Sequence, residues 1–499
     1  MRMSGRSPIQ QSEIYERARL ARDARFDGQF FVGVSTTGIY CRPVCPAVPP
    51  KRENVTFYPS AAAAGEAGFR PCLRCRPECA PGTPAWNGTS TTVRRGLRLI
   101  ASGALDEGSI EDLAERLGVT SRHLRRLFTK HLGASPLSVA HTQRLHFAKR
   151  LIDQTDMPMS HVAQAAGYGS VRRFNDTFKN TYGRAPRDLR RRNEATFDHD
   201  GALTVRLPYR EPFDWSAMID FLAVRATPGV EQVVAETYLR TVVIDGQSGV
   251  IECRHDDCDR NISLTLHGIA TTAMFQVVQR LREMLDLEAP VADIADGLSA
   301  DNTLDRLLKN NPGIRVPGAW SGFELTVRAI LGQQVSVKAA TTLAGRVAER
   351  YGEFVELPKT LDSRADGLRL DRLFPTPEKL ARGRFDNMGL VTSRADTIRR
   401  VAAAVVHGAI NFDNTQDPHD FCEALMSIRG IGEWTAQYSA MRALKYPDAF
   451  PASDLGLLKA VDDAGTVSPA ELKCRAESWR PWRAYAALLL WSSLAGSGG

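Results

Sequence analysis

Four cysteines, Cys41, Cys45, Cys72 and Cys75, stand as two close pairs, C-x3-C and C-x2-C, with 26 residues between the pairs. Pairs at this spacing turn four thiolates toward one tetrahedral zinc ion. Such a site is structural in most proteins. Yet the thiolate is also the nucleophilic form of cysteine, and zinc keeps it deprotonated near neutral pH. One Zn2+ per chain is therefore expected. Cys79, Cys253, Cys258, Cys422 and Cys474 read as ordinary thiols.

A second group lies near the other end. Ile428-Arg-Gly-Ile-Gly-Glu-Trp-Thr-Ala436 fits a helix-hairpin-helix, in which Gly430 and Gly432 permit a tight turn. The backbone N–H groups of such a turn, with the helix N-terminus that follows, can meet a phosphate. Trp434 and Tyr438 lie four residues apart, which places them on one helical face. Asp454 follows in Phe450-Pro-Ala-Ser-Asp-Leu455, and Trp491 closes the group. Two roles for Asp454 stay open on these residues alone: a cap for the helix starting near Leu455, or a catalytic carboxylate. A single tryptophan is more often core than pocket, and Trp482 reads as core.

The elements that must position these groups follow from length and charge. A chain of 499 residues exceeds one ordinary core, so several domains are expected. Residues 1–200 carry a net charge of +12 and the remainder −5. A polyanion-binding front half on a near-neutral back half is the simplest reading. A merely solvated basic face is its bland counterpart. No apolar run reads as an export signal, and Tyr485–Trp491 is too short to span a bilayer. The cysteine usage reads as reduced, and the location as cytoplasmic and nucleoid-associated, with no membrane.

Turn-rich segments at 79–92 and 183–201 separate modules near 1–80, 93–192 and 202–499. Between the seams the apolar spacing predicts helices. Ser109-Ile-Glu-Asp112 is a capping-box pattern, followed by a turn at Gly118-Val-Thr120 and a helix from Ser121. That helix buries Leu124, Leu127 and Phe128 and turns Arg122, Arg125 and Arg126 outward. Fifty residues on, the pattern repeats: Val171, Phe174 and Phe178 mark the buried side, and Arg172, Arg173, Asn175 and Lys179 face out. Two such helices can enter successive major-groove segments on one face of double-stranded DNA. A generic helical hairpin is the bland counterpart. After the second seam, Leu203–Leu207, Thr241–Ile244 and Ile262–Leu266 read as strands, and helical patterns dominate from about Thr303.

Three resemblances add to this. Thr36-Thr-Gly-Ile-Tyr-Cys-Arg-Pro-Val-Cys-Pro46 and Gly68-Phe-Arg-Pro-Cys-Leu-Arg-Cys75, with their flanks, resemble the N-terminal domain of the Ada regulators over residues 15–79. That likeness implies that Cys41 accepts a methyl group from a methylphosphotriester. Tyr182-Gly-Arg-Ala-Pro186 makes 93–192 similar to an AraC-family DNA-binding domain. Pro212-Phe-Asp-Trp215, Arg315-Val-Pro-Gly318, Val327–Ser336 and Trp479-Arg-Pro-Trp-Arg483 resemble the AlkA 3-methyladenine glycosylases over 203–495. This implies Asp454 as the catalytic carboxylate and Trp434, Tyr438 and Trp491 as the pocket for a flipped base. It also implies that the hairpin carbonyls can hold a monovalent cation. Gln334 stands where the best-known relative has a wedging leucine. Trp434 stands where lyase-competent relatives have a lysine, so hydrolysis without strand cleavage is expected. No Pro-Cys-His-Arg is present, so O6-methylguanine repair is not expected.

The expected fold is multidomain α+β. A small α/β zinc domain (1–80) precedes an all-α double helix-turn-helix domain (93–192). A mixed subdomain (202–295) and an all-α helix-hairpin-helix glycosylase domain (296–499) follow. The expected function is a monomeric adaptive-response protein that binds alkylated and promoter DNA, activates transcription with RNA polymerase and excises alkylated bases. The alternative is a regulator whose glycosylase-like half no longer excises.

Overall fold

Parallel pairing of two short strands is what brings the first and third cysteines together. In the computed structural model, α1 (Pro8–Ala21) precedes β1 (Phe31–Val34), β2 (Ile39–Cys41), β3 (Val55–Tyr58), α2 (Ala61–Glu66) and β4 (Arg70–Pro71). The sheet order is β3-β1-β2-β4, with β1 antiparallel to both β2 and β3. Only β2 and β4 run parallel, pairing Ile39 with Arg70 and Tyr40 with Pro71. The residue after each pair is Cys41 on one strand and Cys72 on the other. Phe30, Val32, Val34 and Val55 form the core behind the sheet.

The structure describes residues 8–495 apart from 24–25, 81–90, 102, 106–107, 156, 191–202, 245, 257–259, 271–272, 358–360, 362–366, 413–416 and 463–466. Most of the expected linker at 79–92 and the end of the seam at 183–201 thus lie outside the described residues, as does Cys258. The chain folds as two compact units. The front unit is Met1–Phe197 with Pro208–Glu211 and Ala270–Gln279; the back unit is the rest. Two short later segments therefore group with the front, which a seam drawn at one position does not capture.

The helical part of the front unit comprises α3 (Thr91–Ala101), α4 (Ile110–Arg116), α5 (Ser121–Leu132), α6 (Pro136–Gln154), α7 (Met159–Ala165), α8 (Val171–Tyr182) and α9 (Pro186–Leu189). The capping box at Ser109 is formed in full: its hydroxyl accepts from Asp112 N while the Asp112 carboxylate accepts from the Ser109 amide. Helices α5 and α8 end alike, on Gly133 and Gly183 at φ 69°, a left-handed conformation that glycine adopts without strain. Leu124, Phe128, Phe174 and Phe178 are buried as expected. Val171 is not: as the first residue of α8 it sits 40% exposed, where the helix has not yet turned its apolar face inward.

In the back unit, β5 (Leu203–Pro208), α10 (Trp215–Ala223), β6 (Glu231–Val234), β7 (Thr237–Ile244), β8 (Gln247–Asp256) and β9 (Asn261–His267) lead into helices. The sheet order β5-β9-β8-β7-β6 is a meander from β6 to β9, closed by the first strand on its edge. Then come α11 (Met274–Met284), whose residues up to Gln279 group with the front unit, and α12 (Val291–Leu298), α13 (Asn302–Asn310), α14 (Gly322–Leu331) and α15 (Val337–Tyr351). Helix α12 runs across the subdomain seam drawn at 295. A buried ionic group ties sheet to helix: Arg240 bonds both Glu324 on α14 and Glu231, and Tyr238 OH donates to Glu231 at 2.6 Å. Further helices of the unit lie at Pro377–Ala381, Thr392–Val406, Pro418–Met426, Glu433–Arg442, Leu455–Val461, Pro469–Ala476 and Arg483–Ala495. Among the described residues, no helix is long and apolar enough to cross a membrane.

Candidate active site and metal centre

The sulfur atoms of Cys41, Cys45, Cys72 and Cys75 all lie within 4.8 Å of one another. Tetrahedral Zn–S bonds need sulfurs about 3.8 Å apart, so the cluster suits one zinc ion. Four thiols this close cannot all ionise unaided. Hydrogen bonding with Cys45 pushes Cys41 up, and hydrogen bonding with Cys41 pushes Cys75 up. The same contacts with Cys41 hold Cys72 well below an ordinary thiol and Cys45 at about 7. A divalent cation removes the conflict by favouring thiolate at all four positions. Arg42 braces the centre: its amide donates to Cys75 Sγ at 3.3 Å, and its guanidinium bonds Asp27 and the Cys75 carbonyl. Burial divides the set, with Cys72 and Cys75 interior and Cys41 and Cys45 half-exposed. Only the outer pair is open to a bulky reactant.

The basic residues expected to read DNA are on the surface. Arg122, Arg125 and Arg126 on α5, and Arg172, Arg173, Asn175 and Lys179 on α8, are all exposed. Arg126 contacts His123 at 3.1 Å and Arg125 reaches Glu111 at 3.6 Å, both loose surface arrangements.

In the back unit, residues far apart in sequence meet around one carboxylate. Asp454 caps the helix Leu455–Val461, accepting from Leu457 N at 2.9 Å through Oδ1. Its Oδ2 accepts from Trp434 Nε1 at 2.7 Å, and Oδ1 also accepts from Trp491 Nε1 at 2.8 Å. The capping role is thus real, and it aims the carboxylate into the aromatic group. Trp434 and Tyr438 stack with centroids 5.1 Å apart and planes at 8°, and Trp491 meets Tyr438 edge-on at 6.4 Å. Trp482, 5% exposed against Gly297, is core, as its neighbours required.

Two residues of this site were not expected from the sequence. Arg442 continues the i, i+4 series of Trp434 and Tyr438 by one more turn, and that spacing was the available signal. Its Nη1 donates to Tyr438 OH at 2.6 Å, while Nε and Nη2 donate to the carbonyls of Pro317 and Gly318. Burial pushes the Tyr438 hydroxyl up, but Arg442 and Arg225 outweigh it and hold the pKa below that of free tyrosine. The second is Gln333. Its Nε2 donates to Gly430 O and Thr435 Oγ1, both at 3.1 Å, fastening the loop after α14 to the hairpin. The next residue, Gln334, is exposed at φ 57°, a left-handed conformation unusual for a side chain of this size.

The two hairpin glycines differ. Gly430 has φ 101°, and a Cβ there would lie 2.0 Å from Thr397 Oγ1. Gly432 has φ −103°, and a Cβ there meets nothing within 4 Å. The turn by itself therefore requires only the first; the second leaves open the approach to the amides of the helix Glu433–Arg442.

Known proteins share these modules. Residues 15–78 match the metal binding domain of Ada, 113–192 a helix-turn-helix domain, and 204–321 the AlkA N-terminal domain. Residues 327–484 match the HhH-GPD superfamily base excision DNA repair protein. A probable bifunctional transcriptional activator/DNA repair enzyme AlkA of Mycobacterium tuberculosis is 40% identical over 96% of this chain and 95% of its own length. DNA-3-methyladenine glycosylase 2 of Escherichia coli is 32% identical over 57% of the chain and 95% of its own length. The bifunctional transcriptional activator/DNA repair enzyme Ada of Escherichia coli is 42% identical over 23% of the chain and 32% of its own length.

Proposed function

Since the chain belongs to the family of bifunctional transcriptional activator/DNA repair proteins that join an Ada-type front to an AlkA-type glycosylase, we propose that it both senses DNA alkylation and repairs it. DNA is its partner through both halves, and the cysteine centre holds zinc.

One observation carries the repair half: Asp454 is held by both Trp434 and Trp491 beside the ring of Tyr438. A flipped alkylpurine, positively charged and electron-poor, is attracted to the faces of these rings. As its glycosidic bond breaks, positive charge passes to the sugar. The Asp454 carboxylate stabilises that charge or orients the attacking water. Trp434 supplies no amine, so the product is an abasic site without strand cleavage. Gln334, at the tip of its strained loop, occupies the gap left in the duplex. Gly430 and Gly432 bring hairpin amides to a backbone phosphate. The hairpin carbonyls also hold a monovalent cation in this reading, with Gly430 O shared with Gln333.

In the front half, Cys41 is the methyl acceptor. Its thiolate attacks the methyl carbon of a phosphotriester, the carbon–oxygen bond breaks, and the phosphate oxygen keeps the electron pair as a diester anion. Zinc, when bound, keeps the thiolates deprotonated. The transfer is irreversible, and with Zn2+ held by the four cysteines it would make the centre less negative, from −2 to −1. Less repulsion from neighbouring phosphates tightens binding to a promoter, which Arg122, Arg125, Arg126, Arg172, Arg173, Asn175 and Lys179 contact. The bound protein, as a monomer, then recruits RNA polymerase. A cytoplasmic, nucleoid-associated location follows from DNA as the shared substrate.

Base release from methylated duplex tests the first half: activity in wild type and loss in Asp454→Asn support it, and equal release sinks the assignment. No release by wild type favours a regulator that binds without excising. Fragment masses after exposure to methylphosphotriester DNA test the second half. A methyl group on Cys45 in place of Cys41 overturns the acceptor assignment.

A further inference from the structure

The residues bordering the zinc cluster on both sides are bonded to one stripe of α6, the helix between the two helix-turn-helix units. Tyr40, immediately before Cys41, meets His146 Nε2 through its hydroxyl at 2.9 Å. Arg76, immediately after Cys75, bonds Asp153 Oδ2 at 2.5 Å, and Glu78 lies 3.4 Å from Lys149 Nζ. Lys149 also bonds Asp153 at 2.5 Å. His146, Lys149 and Asp153 are spaced by three and four residues, so they form a single line along the helix. The Glu78, Lys149 and Asp153 side chains are only 2%, 5% and 1% exposed.

Buried ion pairs of this kind add little net stability over apolar packing but penalise every other alignment, since a shifted helix would strand a charge away from water. A second contact lies one helix away. Ala62 and Ala63 of α2 share a core with Leu113, Phe128 and Val139 of the helical part. Ser60 Oγ donates to Leu132 O at 2.8 Å, and Glu66 accepts from Ser135 N at 3.0 Å.

We propose that the zinc module and the paired helix-turn-helix form one rigid reading head, aligned by the His146–Lys149–Asp153 stripe. The four-thiolate centre then meets the DNA backbone a set number of base pairs from the two major-groove contacts. This deepens the sensor reading and rests on it. Sensing then needs no domain rearrangement: the charge change at Cys41 acts at a fixed distance from the operator.

Two measurements on the full-length zinc-loaded protein test this, with Arg76→Gln/Asp153→Asn as the uncoupled variant and zinc content confirming that it folds. In amide exchange, removing zinc speeds exchange along α6 at least tenfold in wild type and leaves the variant's already faster exchange unchanged. Exchange in α6 that ignores zinc in wild type overturns the proposal. In operator binding by the Cys41-methylated protein, one base pair inserted between the backbone step protected by the zinc module and the first groove site weakens wild type at least tenfold. The variant tolerates the insertion. Equal tolerance by wild type also overturns the proposal, because it describes a tether. Failure of methylation to raise operator affinity sinks the sensor reading instead, and the exchange result still decides whether the two modules are coupled.

Discussion

Trp434 and Asp454, twenty residues apart, are joined by an indole N–H bond of 2.7 Å to Oδ2, while Leu457 N and Trp491 Nε1 hold Oδ1. One carboxylate thus serves as helix cap and as the polar end of an aromatic pocket. Because asparagine caps almost as well as aspartate, Asp454→Asn separates the two roles. Melting should change by less than about 1 kcal/mol, whereas base release from methylated duplex should fall at least ~100-fold. Trp434→Phe keeps the ring and loses the donor, so a drop of about tenfold in excision is expected. Single-turnover excision assays with parallel melting curves check both.

Gly456 keeps the pocket open. A Cβ there would lie 2.9 Å from Asp454 Oδ1 and 3.3 Å from Trp491 Cδ1. Gly456→Ala should therefore displace the carboxylate or the indole, lowering the excision rate at least ~10-fold while affinity for undamaged duplex stays within about twofold. Equal losses in rate and affinity would argue against this.

The hairpin glycines should behave oppositely. Gly430→Ala drives a methyl into Thr397 and strains a positive φ, and should cost about 2–3 kcal/mol in denaturant unfolding of the back unit. Gly432→Ala has space in the free chain and should cost less than ~1 kcal/mol, yet weaken duplex binding because the added methyl faces the approaching phosphate. Urea melts and fluorescence-anisotropy titrations of the two variants distinguish the effects.

Zinc removal should unfold the cysteine module. Its cores are small, and without a cation the neighbouring thiols hold Cys41 and Cys75 in the protonated form. A strong chelator should release one equivalent of zinc per chain and lower the first melting transition. Cys72→Ser should mimic that loss. Base excision by the back unit should persist in both cases.

Burial, with Arg150 and Lys149 nearby, lowers the His146 pKa from 6.5 to about 3. The unfolded chain therefore takes up a proton that the fold refuses, so this group's contribution is complete above pH 6.5 and is lost as pH falls toward 3. The slope is about 1.4 kcal/mol per pH unit across that window. Zinc loss in acid adds to it, so the measure is the difference between wild type and His146→Gln. The variant should show a shallower decline in front-unit stability from pH 6.5 to 4.5.

Much of the arrangement was legible without coordinates because it depends on local spacing. Capping at Ser109, two glycine-ended recognition helices and the paired cysteines each follow from residues within a few positions of one another. Val171 was misjudged because a helix-terminal residue escapes the face that its periodicity assigns. Both roles considered for Asp454 were visible in the chain, and nothing in it indicated that the capping carboxylate also accepts from the Trp434 and Trp491 indoles.

The sequence by itself determined which modules are present, which thiols gather, and which aromatic face follows the hairpin, since these rest on periodicity, capping and ligand type. Only the tertiary structure decided what each group touches. The β2–β4 register set Cys41 beside Cys72, α6 met both flanks of the cysteine cluster, Arg442 was tied to the Pro317 and Gly318 carbonyls, and Gln333 was tied to the hairpin. Such contacts arise between segments tens to a hundred residues apart, where packing geometry rather than local preference selects the partner.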